Sequence, residues 1–221
     1  MTFPTAVIEA HRKWVGWYFG PVQAAAFLVA GAPGAGKSTL AELLLARLTP
    51  PPALLDKDTI YGQFVTTTLS VAGRPNGERE GAWYNAHVKP HEYDGLAQTA
   101  AQIRAHGCPV LLCAPFTEQI HDQDTWDSYV DALGGGHVEL IWVRSDPHTL
   151  RTRITARALD RDAGKLQHWD AFLTGVRLGA APVVAHREID NRLAAPDLAG
   201  QADALLAALV DRRRPSITPV G

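Results

Sequence analysis

The stretch "FLVAGAPGAGKSTLAELLLARL", residues 27–48, decides the fold. An apolar run typical of a buried strand breaks into glycines, and apolar residues then recur at helical spacing. Residues 31–38, "GAPGAGKS", fit the pattern G-x-x-x-x-G-K-[ST], with the strand before it and the helix after it that this motif requires. The stretch therefore predicts a phosphate-binding loop between a strand and a helix. The alternative is a glycine-rich turn that only joins the two elements.

Each residue type in the loop has its own physical reason. Gly31, Gly34 and Gly36 permit dihedral angles and a close approach that a β-carbon would block, so that consecutive N–H groups converge on a polyphosphate. Lys37 supplies positive charge to the β- and γ-phosphates, and Ser38 offers its hydroxyl to Mg²⁺. We expect ATP to bind along the loop and the first turn of the helix, at Gly31, Ala32, Pro33, Gly34, Ala35, Gly36, Lys37, Ser38 and Thr39.

Composition limits the class of protein. A chain of 221 residues with 46% hydrophobic residues can bury a substantial core and is most simply one domain, residues 1–221. The formal net charge of −2 gives no overall field for nucleic acid. No apolar run reaches the roughly 18 residues of a membrane span, and charged residues interrupt the N-terminus where a signal peptide would be apolar. We expect a cytoplasmic protein with no membrane segment, a monomer or a homodimer, and core thiols at Cys108 and Cys113.

Short apolar runs alternate with longer helical segments, which is typical of a parallel sheet covered by helices. Pro90 fits the first residue of a helix that ends at Gly107, and Asp146-Pro147 fits an N-cap and the first turn of another helix. The segment 71–81 has the composition of a mobile surface loop. The predicted strands are 24–30, 53–55, 110–114, 138–143 and, more weakly marked, 185–189.

A second polar motif, "LLDKDTIYGQF" at residues 54–64, follows the second predicted strand. It places Asp56 and Asp58 at the carboxyl end of that strand, where ligands bind in open α/β sheets. Phosphoryl transfer to an alcohol needs a carboxylate that orients the hydroxyl and accepts its proton, and one of these aspartates can do so. The alternative is that both aspartates only cap a helix that begins at Thr59.

The pairing of "GAPGAGKSTLA" with "LLDKDTI", followed by "NAHVKPHEYDGL", "PVLLCAPF" and "RITARALDRDAGKL", resembles the small P-loop kinases, over residues 24–190. That group includes zeta toxins, chloramphenicol phosphotransferase, the kinase domain of polynucleotide kinase and AAA-type ATP-binding proteins of actinobacteria. The resemblance implies an α/β fold of the P-loop NTPase kind, a three-layer α/β/α sandwich with a mainly parallel sheet of about five strands, nucleoside-monophosphate-kinase-like, with a helical lid. It also implies that Asp58 is the base and that Asp56 supports Mg²⁺ or Asp58.

Two departures from that group bear on function. The strand that usually ends in a carboxylate for Mg²⁺ continues here into "APF", residues 114–116, so metal binding depends on Ser38, water and Asp56. This departure weakens the interpretation as a motor or switch ATPase, because those enzymes need the carboxylate to organise hydrolysis. In polynucleotide kinases an arginine follows the base by three positions, whereas this chain has Tyr61. A nucleic-acid acceptor is therefore disfavoured.

The segment 151–166, "RTRITARALDRDAGKL", is the predicted lid. Arg153, Arg157 and Arg161 stand at i, i+4 and i+8 and are expected along one face of a single helix. Like charges stacked in this way are unfavourable unless an anion lies among them, and the resemblance implies that lid arginines neutralise the transferring phosphoryl group. We predict that Arg157 and Arg161 act in catalysis and that Arg153 binds the nucleotide. The alternative is a solvated face paired with the nearby aspartates.

The resemblance places the acceptor-binding insertion at residues 71–93. Its aromatic and histidine side chains can bind a substrate or simply pack the lobe, and no metal is expected because Pro90 interrupts the histidine pair. An aromatic N-terminal extension, 1–23, and a flexible tail, 212–221, flank the predicted domain. The side chains in the insertion that are expected to lie together are Trp83, Tyr84, His87, His91 and Tyr93.

These patterns predict an ATP-dependent phosphotransferase that moves the γ-phosphate to a hydroxyl of a small molecule such as an antibiotic, a nucleoside or a sugar. The alternatives are a zeta-toxin-like kinase of nucleotide sugars and a P-loop ATP-binding module or switch without an acceptor. The predicted catalytic residues are Lys37, Asp58, Arg157 and Arg161, and the predicted ligands of Mg²⁺ are Ser38 and Asp56.

Overall fold

The computed structural model describes residues 24–211, so the predicted extension and tail lie outside the described residues. All five predicted strands are present, with ends that differ from the prediction by one or two residues. Their bounds are β1 Ala26–Ala30, β2 Ala53–Asp56, β3 Val110–Cys113, β4 Val138–Arg144 and β5 Arg187–Asp190. They form one sheet in the order β2-β3-β1-β4-β5, and each neighbouring pair is parallel.

Strand β1 lies at the centre of the sheet. Ala26 is opposite Val110 of β3 on one side and opposite Val138 of β4 on the other. All five β1 residues are buried, which is why this strand is apolar on both faces rather than on alternate residues. Because the strands are parallel, the residues that follow β1, β2 and β3 meet at one edge of the sheet.

Helices cover both faces of this sheet. One cluster of buried side chains packs α4 and α6 against one face, and a second packs α1, α7 and α10 against the other. The predicted three-layer α/β/α sandwich is therefore confirmed. Among the described residues, no helix has the length and apolar character needed to cross a bilayer. The helices are α1 Lys37–Arg47, α2 Lys57–Val71, α3 Ala82–His87, α4 Lys89–Ala105, α5 Thr117–Ile120, α6 Gln123–Ala132, α7 Pro147–Arg157, α8 Ala163–Gln167, α9 Trp169–Gly175 and α10 Leu198–Asp211, with a 3₁₀ turn at Asp160–Asp162.

The helix starts follow the capping signals in the sequence. Asp146 accepts a hydrogen bond from the N–H of Thr149 at 2.8 Å, and α7 begins at Pro147 as predicted. Helix α2 begins at Lys57, before the predicted start at Thr59, because Asp56 alone is its N-cap. Oδ1 of Asp56 accepts hydrogen bonds from the backbone N–H groups of Asp58, at 2.9 Å, and Thr59, at 3.1 Å.

The predicted lid is not one helix, and this part of the prediction is wrong. Helix α7 ends at Arg157, Ala158 has a left-handed backbone with φ 47°, and the 3₁₀ turn and α8 follow. Arg161 therefore lies in the turn and not on the same helical face as Arg153 and Arg157. The physical reason is the ion pair between Arg157 and Asp162, at 2.6 and 2.7 Å, which requires the chain to fold back after Arg157.

Residues 72–81, which join α2 to α3, lie against the lid. A β-carbon on Gly164 of α8 would be 2.7 Å from the carbonyl oxygen of Gly77, and one on Gly77 would be 3.1 Å from the amide nitrogen of Gly164. Backbone therefore meets backbone at this point, and glycine is required on both sides. Gly77 lies in the segment whose composition predicts a mobile loop, and the same glycine permits this close packing.

Arg104 of α4 links two chain segments at the amino-terminal end of the sheet. Its side chain is buried, with 1% of the residue exposed, and it donates to three carbonyl oxygens. Nε donates to Ala24 at 2.6 Å, Nη2 to Gly135 at 2.7 Å, and Nη1 to Leu133. One guanidinium thus joins the residues before β1 to the residues that follow α6.

We expect Arg104→Met to lower the free energy of unfolding by about 3 kcal/mol, because the substitution leaves buried carbonyl groups without a donor. Urea denaturation followed by circular dichroism measures the loss. Arg47→Met is the matched control, since Arg47 makes an exposed ion pair with Asp203, and its loss should be less than about 1 kcal/mol. Equal losses in the two variants would contradict the proposed role of Arg104.

Candidate active site

The loop 31–36 takes a backbone conformation that only glycine adopts freely at three positions. The φ angles are 144° at Gly31, 87° at Gly34 and 98° at Gly36. Space is as restrictive as dihedral angle: a β-carbon on Gly31 would be 2.6 Å from the carbonyl oxygen of Val143, and one on Gly36 would be 2.1 Å from Nδ2 of Asn191. The three glycines of the motif are therefore needed for the reasons that the sequence predicts.

The outer side of this loop is held by two side chains from distant elements. Nη1 of Arg153 and Nδ2 of Asn191 both donate to the carbonyl oxygen of Ala35, at 3.2 and 2.7 Å. Arg153 also donates to the carbonyl of Asn191 at 2.9 Å. Sequence analysis missed Asn191. Its signal was available, since it directly follows β5 at the same edge of the sheet as Asp56.

The N-terminus of α1 points into the site without a cap. Gly36 is the N-cap residue, and no side chain among residues 24–211 caps the helix there. The first N–H groups of a helix have no acceptor within it, so those of α1 remain available to an anion. Lys37 lies beside them, with Nζ donating to the carbonyl of Ala32 at 3.1 Å. Burial lowers the pKa of Lys37, and the neighbouring Asp58 and Asp56 partly oppose that shift.

Ser38 and Asp56 are adjacent, as the prediction of a metal site requires. The hydroxyl of Ser38 donates to Oδ2 of Asp56 at 3.1 Å, while Oδ1 of the same carboxylate caps α2. Asp56 thus caps α2, which is the alternative that the sequence left open, and it also contacts Ser38. Within residues 24–211, no cluster of three histidine, cysteine or acidic side chains can hold a metal ion. These two oxygen ligands fit Mg²⁺ only where phosphate oxygens and water complete the coordination.

Cys113 is the last residue of β3. Its Sγ is 3.9 Å from Oγ of Ser38, and the side chain is buried. Burial raises the pKa of Cys113 to about 12. The group beside Ser38 is therefore a neutral thiol at physiological pH.

Asp58 lies opposite the loop, between two cations. Its Oδ1 is 3.5 Å from Nζ of Lys57, and its Oδ2 is 3.0 Å from Nη1 of Arg161. Burial acts to raise the pKa of Asp58, but these cations together with Lys37 hold it below its usual range. The carboxylate is therefore ionised at neutral pH.

The lid cations line the same cavity, although they do not lie along one helical face as predicted. Arg157 pairs with Asp162, which is 1% exposed, and Lys165 lies 3.2 Å from the same carboxylate. Pairing with a nearby aspartate, the alternative that the sequence left open, is present at Arg157. Arg157 nevertheless lines the cavity, as Arg153, Arg161 and Lys165 also do. Arg151 points elsewhere, with its guanidinium 5.4 Å from the centre of the Trp169 ring.

The predicted acceptor insertion divides into a part that lines the cavity and a part that does not. Tyr84 and Tyr93 line it, whereas Trp83 and His87 stack on each other outside it with ring centres 5.0 Å apart. His91 is exposed. The expectation that all five side chains line one site is therefore not met, and Trp83 instead packs against the buried cluster that contains Tyr84, as the packing alternative predicts.

One cavity of about 740 Å³, a size typical of a small-molecule site, is lined by Lys37, Ser38, Asp56, Asp58 and the lid cations. Its lining also includes residues of the phosphate-binding loop. A side region is lined by polar and aromatic side chains, Arg79, Glu80, Tyr84, Lys89, Tyr93 and Glu118.

The strand order, the loop after β1 and the lid define the class of protein: a P-loop α/β/α sandwich of the nucleoside-monophosphate-kinase-like kind. More narrowly, the chain belongs to the AAA_33 family, an AAA domain, whose model matches residues 27–178. Among curated proteins, none matches the chain in sequence at a significant level.

Solved structures share this fold at low sequence identity. A sugar kinase from Janibacter sp. is 15% identical with a TM-score of 0.56, over 85% of this chain and 94% of that one. A gluconokinase from Sinorhizobium meliloti is 15% identical with a TM-score of 0.54, over 85% and 94%. A shikimate kinase from Acinetobacter baumannii is 15% identical with a TM-score of 0.51, over 86% and 95%. At these identities the likeness shows only the fold. It does not show that the chain belongs to the group of zeta toxins, chloramphenicol phosphotransferase and polynucleotide kinase that its sequence resembles.

The two cysteines provide a test of the packing beside Ser38. Cys108 is exposed, contrary to its prediction as a core thiol, and Cys113 is buried as predicted. We expect iodoacetamide at pH 8 to alkylate Cys113 at least about 100-fold more slowly than Cys108, since the thiolate reacts and burial disfavours it. Mass spectrometry of the labelled peptides measures both rates, and urea-unfolded protein is the control in which they converge. Equal rates in the folded protein would contradict the described packing.

Proposed function

We propose that the protein is an ATP-dependent phosphotransferase that transfers the γ-phosphate to a hydroxyl of a small molecule. The observation that carries the proposal is that one cavity is lined by an uncapped helix N-terminus with its phosphate-binding loop, an ionised aspartate and several cations. Anion-binding groups alone fit any nucleotide-binding protein. An aspartate beside them, in reach of a second substrate, supports transfer to an acceptor.

The nucleotide lies along residues 31–39, with its phosphates on the free N–H groups of α1 and on Lys37. Ser38 and Asp56 would hold Mg²⁺, which would neutralise phosphate charge when bound. Arg153 acts on nucleotide binding chiefly through the loop, because its nitrogens are already bonded to Ala35 and Asn191.

Asp58 orients the acceptor hydroxyl and accepts its proton. Its low pKa fits this role in a loose transition state, where orienting the nucleophile matters more than strong basicity. In this structure Arg161 occupies Oδ2 of Asp58. Transfer therefore needs Arg161 to leave the carboxylate, and the phosphoryl group in flight offers it a better charged partner.

The acceptor lies in the side region beside Tyr84 and Tyr93. Charged groups of both signs, Arg79, Lys89, Glu80 and Glu118, line this region, which fits a polar molecule with several hydroxyl or charged groups. A sugar, a nucleoside and a hydroxylated antibiotic all have this character. The fold shared with kinases of a sugar, gluconate and shikimate supports the same size of acceptor.

A screen for transfer of labelled γ-phosphate to hydroxylated metabolites and antibiotics tests this proposal. We expect at least one acceptor to be phosphorylated, with Lys37→Met weakening ATP binding and abolishing transfer. Asp58→Asn keeps size and hydrogen bonding but cannot take a proton, so turnover should fall by about 10²-fold or more while the Kd for ATP is retained. ATP binding without transfer to any acceptor would instead favour an ATP-binding module or switch.

The lid gives a separate prediction about the arginines. Arg161→Ala or Arg157→Ala should lower kcat by about 10²-fold with little change in the Kd for ATP, because the cation is needed mainly when phosphate is in transfer. Hydrogen exchange of residues 147–166 should slow when a nonhydrolysable ATP analogue binds.

Arg151→Ala is the matched control for that experiment, since it removes an arginine of α7 that lies against Trp169 and not in the cavity. We expect it to retain turnover. If the cavity arginines behave as Arg151 does, and exchange is unaffected by the analogue, the lid has no role in catalysis.

A further inference from the structure

A buried chain of polar side chains leads from the acceptor side of the cavity to Asp58. The hydroxyl of Tyr84, on α3, donates to Oε2 of Glu92, on α4. Oε1 of Glu92 accepts from Nζ of Lys57 at 2.8 Å, and the same Nζ is 3.5 Å from Oδ1 of Asp58. The first three members are nearly inaccessible to solvent, with Tyr84 5%, Glu92 2% and Lys57 8% exposed.

The chain fixes the ammonium group of Lys57. Both oxygens of Glu92 are engaged, one by Lys57 and one by Tyr84, so the carboxylate has a single orientation. Burial raises the pKa of Tyr84, with Glu92 adding to the shift, and the hydroxyl therefore remains a donor. A buried ion pair is weak evidence for stability, because desolvation offsets much of the attraction. Stability alone therefore does not explain why the pair between Lys57 and Glu92 lies beside Asp58.

The two oxygens of Asp58 have different partners. Oδ1 faces Lys57, which is buried and held by Glu92. Oδ2 faces Arg161, whose side chain is 26% exposed and belongs to the lid. The Oδ1 contact is thus built into the fold, whereas the Oδ2 contact depends on a segment at the surface.

We propose that Lys57, held in place by Glu92 and Tyr84, is a positioning residue that anchors Oδ1 of Asp58, so that Oδ2 is the oxygen that receives the proton of the acceptor. This inference rests on the proposed function. In the step, the acceptor hydroxyl oxygen forms a bond to the γ-phosphorus as the bond from that phosphorus to the β,γ-bridging oxygen breaks. The hydroxyl proton passes to Oδ2, and ADP leaves with the bridging electron pair.

Glu92 has a second effect, which is to balance the charge of Lys57. The ammonium group can therefore stay buried beside Asp58 without a lone charge in the interior. The other cations that act on Asp58 are Arg161, Lys37 and Lys165.

The test measures kcat and the KM for ATP with an acceptor from the screen, in Lys57→Met, in Glu92→Gln and in the double variant that removes the pair together. The double variant spares the fold a lone buried charge, and urea denaturation of each variant measures any loss of stability. We expect kcat to fall by about 10-fold in all three variants with the KM for ATP retained, because Asp58 is held less firmly while the nucleotide site is unchanged.

The matched control is the double variant Arg187→Met with Glu139→Gln, which removes a partly buried ion pair of similar length, 2.7 Å, between β5 and β4. It should leave kcat unchanged. A merely structural role for Lys57 and Glu92 predicts loss of stability with kcat retained in the folded variants, and that result overturns the inference while the proposed function stands. If the parent protein phosphorylates no acceptor, the proposed function fails and the positioning role fails with it.

Discussion

The site depends on the narrow space through which the loop 31–36 passes. At Gly31 the chain runs against a carbonyl of β4, and at Gly36 against the side chain of Asn191. There is no room at either point for a β-carbon, and both backbones have positive φ. This constraint turns α1 toward the cavity with its first N–H groups free. Arg153 and Asn191 lock it from outside, so the loop is preformed before any ligand arrives.

Much of this architecture could be predicted because it is encoded locally. The glycine spacing specifies the loop, Asp146-Pro147 and Asp56 specify helix starts, and the apolar runs specify five strands. Parallel strands then bring Asp56, which ends β2, and Ser38, which follows β1, to the same edge of the sheet, although β3 lies between the two strands. The hydrogen bond between them, at 3.1 Å, confirms the proximity that this rule predicts and leaves the metal itself a proposal.

The remainder depends on side-chain contacts that helical and strand periodicity does not encode. Helical spacing placed Arg161 beside Arg153 and Arg157, but the pair between Arg157 and Asp162 folds the segment back and delivers Arg161 to Asp58. The helical spacing of residues does not reveal an ion pair that ends the helix. Asn191 was missed for a related reason, because its value lies in one contact with Ala35, 156 positions away.

The meeting of Gly77 and Gly164 has a consequence for access to the cavity. The loop 72–81 belongs to the side where the acceptor is placed, and α8 belongs to the lid. With no side chain between the two backbones, an outward movement of the lid either carries that loop with it or breaks their contact. Entry for the two substrates is thereby linked through the main chain, and the linkage tolerates changes at neighbouring side chains better than one built from those side chains would.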